Sequence, residues 1–182
     1  MQAIELLLNR RSWGRLTEPG PDKCDLETII QAGLRSPDHG ALHPWRFIIA
    51  EGDGLLRLGD IYQQAAVANG ADEAAIQKAQ NMPQRAPLVI TVVACVTPDH
   101  KIPEVEQVLS AGCAAHAMQM AAQALGYGGI WRTGAMSYDD KVKADLGLKG
   151  KEQIVGYLYL GSLVNEPSAT KKLDPDDFVS YL

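Results

Sequence analysis

Residues 103–126 read PEVEQVLSAGCAAHAMQMAAQALG and predict one long helix. Pro103 suits the first turn of a helix, where its missing N–H leaves no hydrogen bond unmade. Residues at helical spacing trace one face, namely Val105, Val108, Leu109, Gly112, Cys113, His116 and Met120. From Ala111 to Leu125 the helix is apolar almost all round, so neighbours should cover it on several sides. Its small residues would let a second helix approach closely, and a dimer interface is one candidate for that second side.

Short runs rich in β-branched and aromatic residues predict strands on both sides of this helix. The predicted strands are Trp45–Ala50, Leu88–Val96, Ile130–Thr133 and Ile154–Leu160. Between the first two strands, residues 55–80 are helical in character, with breaks near residues 69–70 and 82–83. We therefore predict two short helices there.

Three further patterns predict where other helices begin and end. Apolar residues recur at helical spacing over residues 4–11 and predict a first helix that closes near Arg11. Asp22 is the predicted N-cap of a second helix, which Pro37 should end. Ser137 with Asp140 resembles a capping box and predicts a helix late in the chain.

Helices and strands follow one another without a regular strand–helix–strand repeat, which favours an α+β fold in which helices sandwich a sheet. The chain has 182 residues, 46% of them hydrophobic. Because a domain contains roughly 150 residues, we expect one domain over residues 1–182.

Charge and cysteine content exclude several classes of protein. A formal charge of -5 gives no general attraction to nucleic acids or anionic membrane surfaces. No apolar run is long enough to span a bilayer, and the N-terminus does not have the pattern of a secretory signal. Cys24, Cys95 and Cys113 are odd in number and far apart, which indicates reduced thiols. We therefore expect a cytoplasmic protein without nucleic-acid or membrane partners.

Standard catalytic and nucleotide signatures are missing. Trp131 occupies the place of the last glycine in a GxGxxG pattern, and the sequence has no P-loop, HExxH or GxSxG motif. His39 and His43 lie four residues apart, but Pro44 makes a shared helical face unfavourable. The sequence thus predicts no metal site.

Arg10, Arg11 and Ser12, with Arg15 just beyond, place guanidinium groups and a hydroxyl at one helix end. Such a set suits the dianion of a phosphate monoester. Alternatively, these arginines complement the negative end of the helix and stay solvated.

Two further segments combine polar groups with flexible backbone. SPDHGALHPWRF at residues 36–47, preceded by Arg35, leads from a helix through a polar loop into a strand, and loops at strand entrances are frequent cofactor sites. The alternative is a turn in which Trp45 anchors the core. GYGGIWRTG at residues 126–134 would let a flat ring approach the backbone, or would simply cap a helix before a strand.

Together these segments resemble the nitroreductase family of flavoproteins, with its RRSxR, PSxxNxQPWxF and glycine-rich patterns. The resemblance includes the terminal IVGYLYLG at residues 154–161 and extends over nearly the whole chain. The short length and the GGIWR segment are most similar to the compact NAD(P)H nitroreductases of the family. Two departures are Ala41 and His43, where the family commonly has asparagine and glutamine, and Arg15 lies one place later than its counterpart.

The resemblance implies a central, mostly antiparallel sheet flanked by helices, a long central helix, and an intertwined homodimer with FMN at the subunit interface. It implies FMN contacts from Arg10, Arg11, Ser12, Arg35, His39, Trp131, Arg132 and Thr133, some of them supplied by the partner subunit. It implies a nicotinamide-cofactor contact at Ala121, Ala122, Gln123, Ala124, Leu125 and Gly126, although these residues also suit a buried helix end.

The resemblance further implies an enzyme that uses NAD(P)H to reduce nitroaromatics, quinones or related acceptors by a ping-pong mechanism. Because the cofactor carries the redox chemistry, no side chain is predicted to be catalytic. Arg15 or Arg35 is the candidate cation near the reduced ring. The alternatives are a flavin-dependent dehydrogenase or flavin-processing enzyme on the same fold, and a non-catalytic flavin-binding module. Lys171 and Lys172 either approach the phosphate or are solvated.

Overall fold

A computed structural model describes residues 2–165 and 173–182 of the chain; Lys171 and Lys172 lie outside this part. The helices are α1 (Ala3–Leu8), α2 (Lys23–Gly33), α3 (Asp53–Ala68), α4 (Glu73–Gln80), α5 (Glu104–Ala124), α6 (Ala135–Tyr138) and α7 (Asp140–Asp145). The strands are β1 (Leu16–Thr17), β2 (Trp45–Glu51), β3 (Leu88–Ala94), β4 (Gly128–Arg132) and β5 (Gln153–Leu163). Among these helices none is long and apolar enough to cross a membrane.

The last strand, β5, organises the sheet. Along one edge it pairs with β3, where Leu88 lies opposite Leu160, and β3 pairs in turn with β2. Along its other edge β5 pairs first with β4 and then, beyond Gly161, with β1. All of these pairings are antiparallel, which confirms the predicted sheet.

Side chains of the central strands alternate between two hydrophobic cores, one on each face of the sheet. On one face, Tyr157 and Tyr159 pack with α3, where Tyr62 is fully buried. On the other face, Leu158 and Leu160 pack against α2 and α5. All seven residues of β3 are buried, as expected for a strand covered on both faces. The predicted α+β arrangement of a sheet between helices is confirmed.

Helix ends differ from the predictions at two places. α1 ends at Leu8, before Arg10, so both arginines stand in the loop after the helix. The late helix α7 is capped by Asp139, whose carboxylate accepts from Val142 N at 2.9 Å, so the Ser137 prediction was wrong. Ser137 lies inside α6, whereas Asp139 stands directly before α7, in the position where its side chain can accept from the free N–H groups of the helix start. Asp22 does cap α2, through a 2.8 Å bond from Asp25 N.

The predicted face of the long helix is only partly buried. Val105 and Leu109 are 62% and 63% exposed, and Cys113 and His116 are exposed as well. The buried side of α5 is formed mainly by small or polar residues, namely Gln107, Ser110, Ala111, Ala114, Ala115, Met118, Gln119, Met120 and Ala122. Alanines let α5 approach the sheet closely, which hydrophobic periodicity does not reveal.

Candidate functional site

The loop after α1 lies against strand β4. Trp13 N–H donates to the Gly129 carbonyl at 3.2 Å. From α5, the side-chain amide of Gln119 donates to the same carbonyl at 3.3 Å and to the Arg11 carbonyl at 3.4 Å. The Arg-Arg-Ser segment and the glycine-rich segment, far apart in sequence, are thus brought side by side.

Beyond this contact, no described strand pairs with the outer edge of β4. Backbone groups of successive strand residues alternate between the two edges of a strand. Because the Gly129 carbonyl turns away from β5 toward Trp13, the N–H and C=O of Trp131 turn to the same outer side. The exposed Thr133 follows directly after the strand. This edge offers hydrogen-bonding groups to the polar rim of a flat ligand.

Arginines of the loop after α1 are free of carboxylates. Arg10 and Arg15 are exposed, and Arg11 is half-buried. In residues 2–165 and 173–182, no ion pair involves any of the three. Their positive charge is therefore available to an anion.

The indole of Trp131 forms part of a cleft between β4 and α5. Its Nε1 donates to the Val155 carbonyl at 3.3 Å, and its outer edge faces Gly112 of α5. The cleft has a volume of about 520 Å³. Its lining residues include Arg35, Ser36, Cys113, His116 and Trp131. Arg35 and Trp131, predicted from separate segments, therefore share one cleft.

Arg132 points to the opposite face of the sheet. Its guanidinium carbon lies 5.8 Å from the centre of the Tyr159 ring, and its buried Nε has no hydrogen-bond partner in the part of the chain that the structure describes. Burial raises the pKa of Tyr159 to about 12, although Arg132 and Arg85 both act to lower it. The phenol therefore stays protonated at neutral pH, and the charge of Arg132 is not neutralised by it.

A second cleft, of about 590 Å³, opens where β1 meets the end of β5. Arg15 lines it together with Arg85, a residue that sequence reasoning missed. The available signal was a basic residue at the break after Pro83, just before strand β3. Two arginines in a cleft whose described lining contains no carboxylate indicate a site suited to a polar or anionic group.

The loop between α2 and β2 is held by one carboxylate of its own, Asp38, and by Glu106 of α5. His39 Nδ1 lies 2.7 Å from a carboxylate oxygen of Glu106, and His43 N–H donates to Asp38 at 2.7 Å. Ala41 has a φ of 51°, in the left-handed region that asparagine tolerates better than alanine. No described hydrogen bond or ion pair joins this loop to residues 10–12.

The predicted nicotinamide segment is divided between the core and the surface. Ala122 is fully buried, and Gln123 donates to the Asn9 carbonyl at 3.4 Å, which ties α1 to α5. Ala124, Leu125 and Gly126 are exposed at the helix end.

Comparisons with known proteins agree in one family. A family model described as the nitroreductase family matches residues 7–162. The Escherichia coli K12 protein named "Putative NAD(P)H nitroreductase YdjA" is 49% identical over 182 residues, covering 100% of both chains.

Solved structures share the fold. A nitroreductase-like family protein from Bacillus cereus matches with a TM-score of 0.88 and 20% identity, covering 100% of this chain and 96% of the other. A Desulfovibrio desulfuricans "putative nitroreductase in complex with FMN" matches with a TM-score of 0.77 and 20% identity, covering 98% and 95%.

Proposed function

This chain belongs to the nitroreductase family, and from that premise we propose an FMN-dependent oxidoreductase that uses NAD(P)H to reduce nitroaromatic, quinone or related electron-poor acceptors. The observation that carries the proposal is the joining of the arginine-rich loop to the outer edge of β4 by Gln119 and Trp13. It sets an anion-binding group beside an edge suited to a flat, polar-rimmed ring. We treat residues 1–182 as one FMN-binding domain.

The residues present fit FMN. Arg10, Arg11 and Ser12 would hold its phosphate, since guanidinium groups and hydroxyls make strong hydrogen bonds to phosphate oxygens. Trp131, Arg132 and Thr133 would line the ring, with Arg132 acting from the face of the sheet opposite to the Trp131 indole. The outward-facing backbone groups of β4 support this assignment, because a flavin ring carries several acceptors and one N–H along its polar rim.

FMN, when bound, supplies the redox chemistry, so the side chains have other tasks. We assign to Arg15 the stabilisation of negative charge at the pyrimidine side of the ring, with Arg85 beside it in the same cleft. No nucleophilic side chain is required, and the proposal has no catalytic residue.

NAD(P)H and the acceptor would use one open face in turn. For the nicotinamide cofactor we retain the segment Ala121–Gly126 and propose that its exposed end, Ala124 to Gly126, makes the contact. The small side chains there leave room for a second flat molecule.

We further propose that the functional unit is a cytoplasmic homodimer. An exposed apolar stripe on α5, including Val105 and Leu109, supports a partner surface. Arg35 and His39, which make no hydrogen bond to the phosphate loop within one protomer, would then reach the FMN of the partner. Three free thiols support a reducing compartment.

The experiment that tests the function begins with the visible spectrum of the purified protein, which should show bound flavin. Anaerobic NAD(P)H should bleach it, and a nitroaromatic or quinone added afterwards should restore the colour. Double-reciprocal plots should be parallel. Intersecting plots, with no bleaching until both substrates are present, would contradict the ping-pong scheme. Bound flavin that NAD(P)H does not reduce would favour the non-catalytic module.

A further inference from the structure

The side chain of Gln119 connects the two segments from which the proposed FMN site is built. Gln119 is 3% exposed, and its amide nitrogen reaches the carbonyls of Arg11 and Gly129 at 3.4 and 3.3 Å. Trp13 N–H donates to the same Gly129 carbonyl at 3.2 Å. Ser12 therefore lies between Arg11, whose carbonyl is held by Gln119 of α5, and Trp13, whose N–H is held by Gly129 of β4.

These anchors fix the direction of the Ser12 N–H. A trans peptide is planar, and its C=O and N–H point in opposite directions. The bond between residues 11 and 12 is trans, and its carbonyl is turned inward to Gln119. The Ser12 N–H is consequently turned outward, and within the described residues it has no acceptor.

We infer that Gln119 is a positioning residue for the FMN phosphate, an inference that rests on the proposed FMN site. By holding the Arg11 carbonyl inward, Gln119 presents the Ser12 N–H as a fixed donor to a phosphate oxygen, beside the guanidinium groups of Arg10 and Arg11. A donor that is already oriented loses no backbone freedom when the ligand binds. Its hydrogen bond to a dianion is charge-assisted and therefore strong.

The local sequence supports this role. Gly129 has no side chain, and a Cβ there would lie 3.5 Å from Gln119 Cγ and 2.9 Å from Leu160 Cδ2. The missing side chain avoids a clash with Leu160, while Gln119 lies at ordinary contact distance from the strand. An apolar side chain at position 119 would be buried equally well in this core, but it would leave the Arg11 carbonyl without a hydrogen-bond donor.

Gln107, on the same helix, provides a matched control. It is 1% exposed and binds Thr97 N–H at 2.8 Å and the carbonyls of Thr97 and Ile102 at 3.1 Å. Both glutamines thus tie α5 to backbone groups, but only Gln119 contacts the proposed phosphate loop. Replacing either glutamine removes a buried amide that makes hydrogen bonds, so a comparison of the two variants separates this general loss from an effect on the phosphate loop.

The test compares Gln119→Met with Gln107→Met by titrating the flavin-free full-length proteins with FMN and with riboflavin, which lacks the phosphate. We expect Gln119→Met to weaken FMN binding ~10-fold or more while riboflavin binding changes by about twofold or less. Gln107→Met should leave the ratio of the two affinities unchanged. Equal weakening of FMN and riboflavin by Gln119→Met, or a ratio that changes equally in both variants, would overturn the inference.

Gln119→Asn provides a second variant in case Gln119→Met does not fold. Its shorter amide stays polar in the core but does not span both carbonyls, so FMN should again be weakened selectively. A selective loss supports the inference and an unchanged ratio contradicts it. Wild-type protein that binds neither flavin would instead overturn the proposed function, and the inference with it.

Discussion

Trp131 lies directly on Gly156, and the two residues fit only because Gly156 has no side chain. A Cβ at Gly156 would lie 2.6 Å from Trp131 Cδ1, while the ring nitrogen donates to the adjacent Val155 carbonyl at 3.3 Å. The position of the indole, and with it one wall of the cleft shared with Arg35, therefore depends on a glycine in the neighbouring strand.

Gly156→Ala should displace the indole and destabilise the protein by about 1–3 kcal/mol, the usual cost of overpacking a core. Urea unfolding and tryptophan fluorescence would measure both effects. Gly54→Ala is the control, because a Cβ there makes only ordinary contacts in α3, the closest at 3.7 Å, and alanine favours the helix. Wild-type stability and emission in Gly156→Ala would contradict this packing.

Arg10→Ala should weaken FMN binding about tenfold or more, since one charge-assisted hydrogen bond contributes ~1.5–3 kcal/mol. Fluorescence titration of the flavin-free protein would give the affinities. Arg57→Ala removes another exposed arginine, on α3, and should leave FMN binding unchanged. Identical affinities for Arg10→Ala and wild type would rule out the proposed phosphate contact.

Leu109→Glu should dissociate the proposed homodimer, because it places a charge in the exposed apolar stripe of α5, where Leu109 is 63% exposed. Light scattering should give twice the chain mass for wild type and a lower mass for the variant. Val67→Glu changes a residue of similar exposure, 57%, on α3 and should remain dimeric. A flavin-bound wild-type monomer at micromolar concentration would refute the dimer.

Arg15→Ala should lower the midpoint potential of bound FMN, because a cation near the ring favours the more negative, reduced form. We expect a change on the order of 30 mV, which corresponds to ~1.4 kcal/mol for a two-electron couple. Spectroelectrochemistry would measure it, with Arg35→Ala as the comparison. If the midpoint potential decreases more in Arg35→Ala than in Arg15→Ala, the cation near the flavin ring is Arg35 instead.

Glu152 should contribute pH-dependent stability. Hydrogen bonding to Arg46, at 3.0 Å, is the main reason that the pKa of Glu152 falls from 4.5 to about 2. Its stabilisation is therefore complete above pH 4.5 and lost as the pH falls toward 2. Glu152→Gln should destabilise the protein on the order of 2 kcal/mol at pH 7, allowing for solvent screening of Arg46.

Urea unfolding at pH 7 and at several lower pH values would test this dependence. The difference between wild type and Glu152→Gln should shrink steadily as Glu152 becomes protonated. Glu104→Gln, in the exposed pair with Lys151, should show little effect. A pH-independent difference for Glu152→Gln would contradict the ionic explanation.

Much of the fold could be predicted from local patterns. The long helix begins one residue after Pro103, as its sequence indicated, and β2 begins at Trp45 as predicted. Local signals were less reliable where two candidates competed, as with Ser137 and Asp139 at the start of α7. The spacing of these residues did not show that Ser137 lies inside the short helix α6 and that Asp139 caps α7.

The sequence by itself determined the residue types of the proposed site: an arginine pair with a serine, which we propose to bind the phosphate, a polar loop, and a glycine-rich strand. Their order along the chain was sufficient to identify the family. Tertiary structure alone decided how they meet. Gln119 donates hydrogen bonds to both Arg11 and Gly129. The Trp131 ring packs against Gly156, and Arg85 lines the same cleft as Arg15. These relationships escape sequence patterns because helical and strand periodicities report only which side of one element is apolar. Which distant backbone carbonyl a buried amide reaches depends on how separate elements pack.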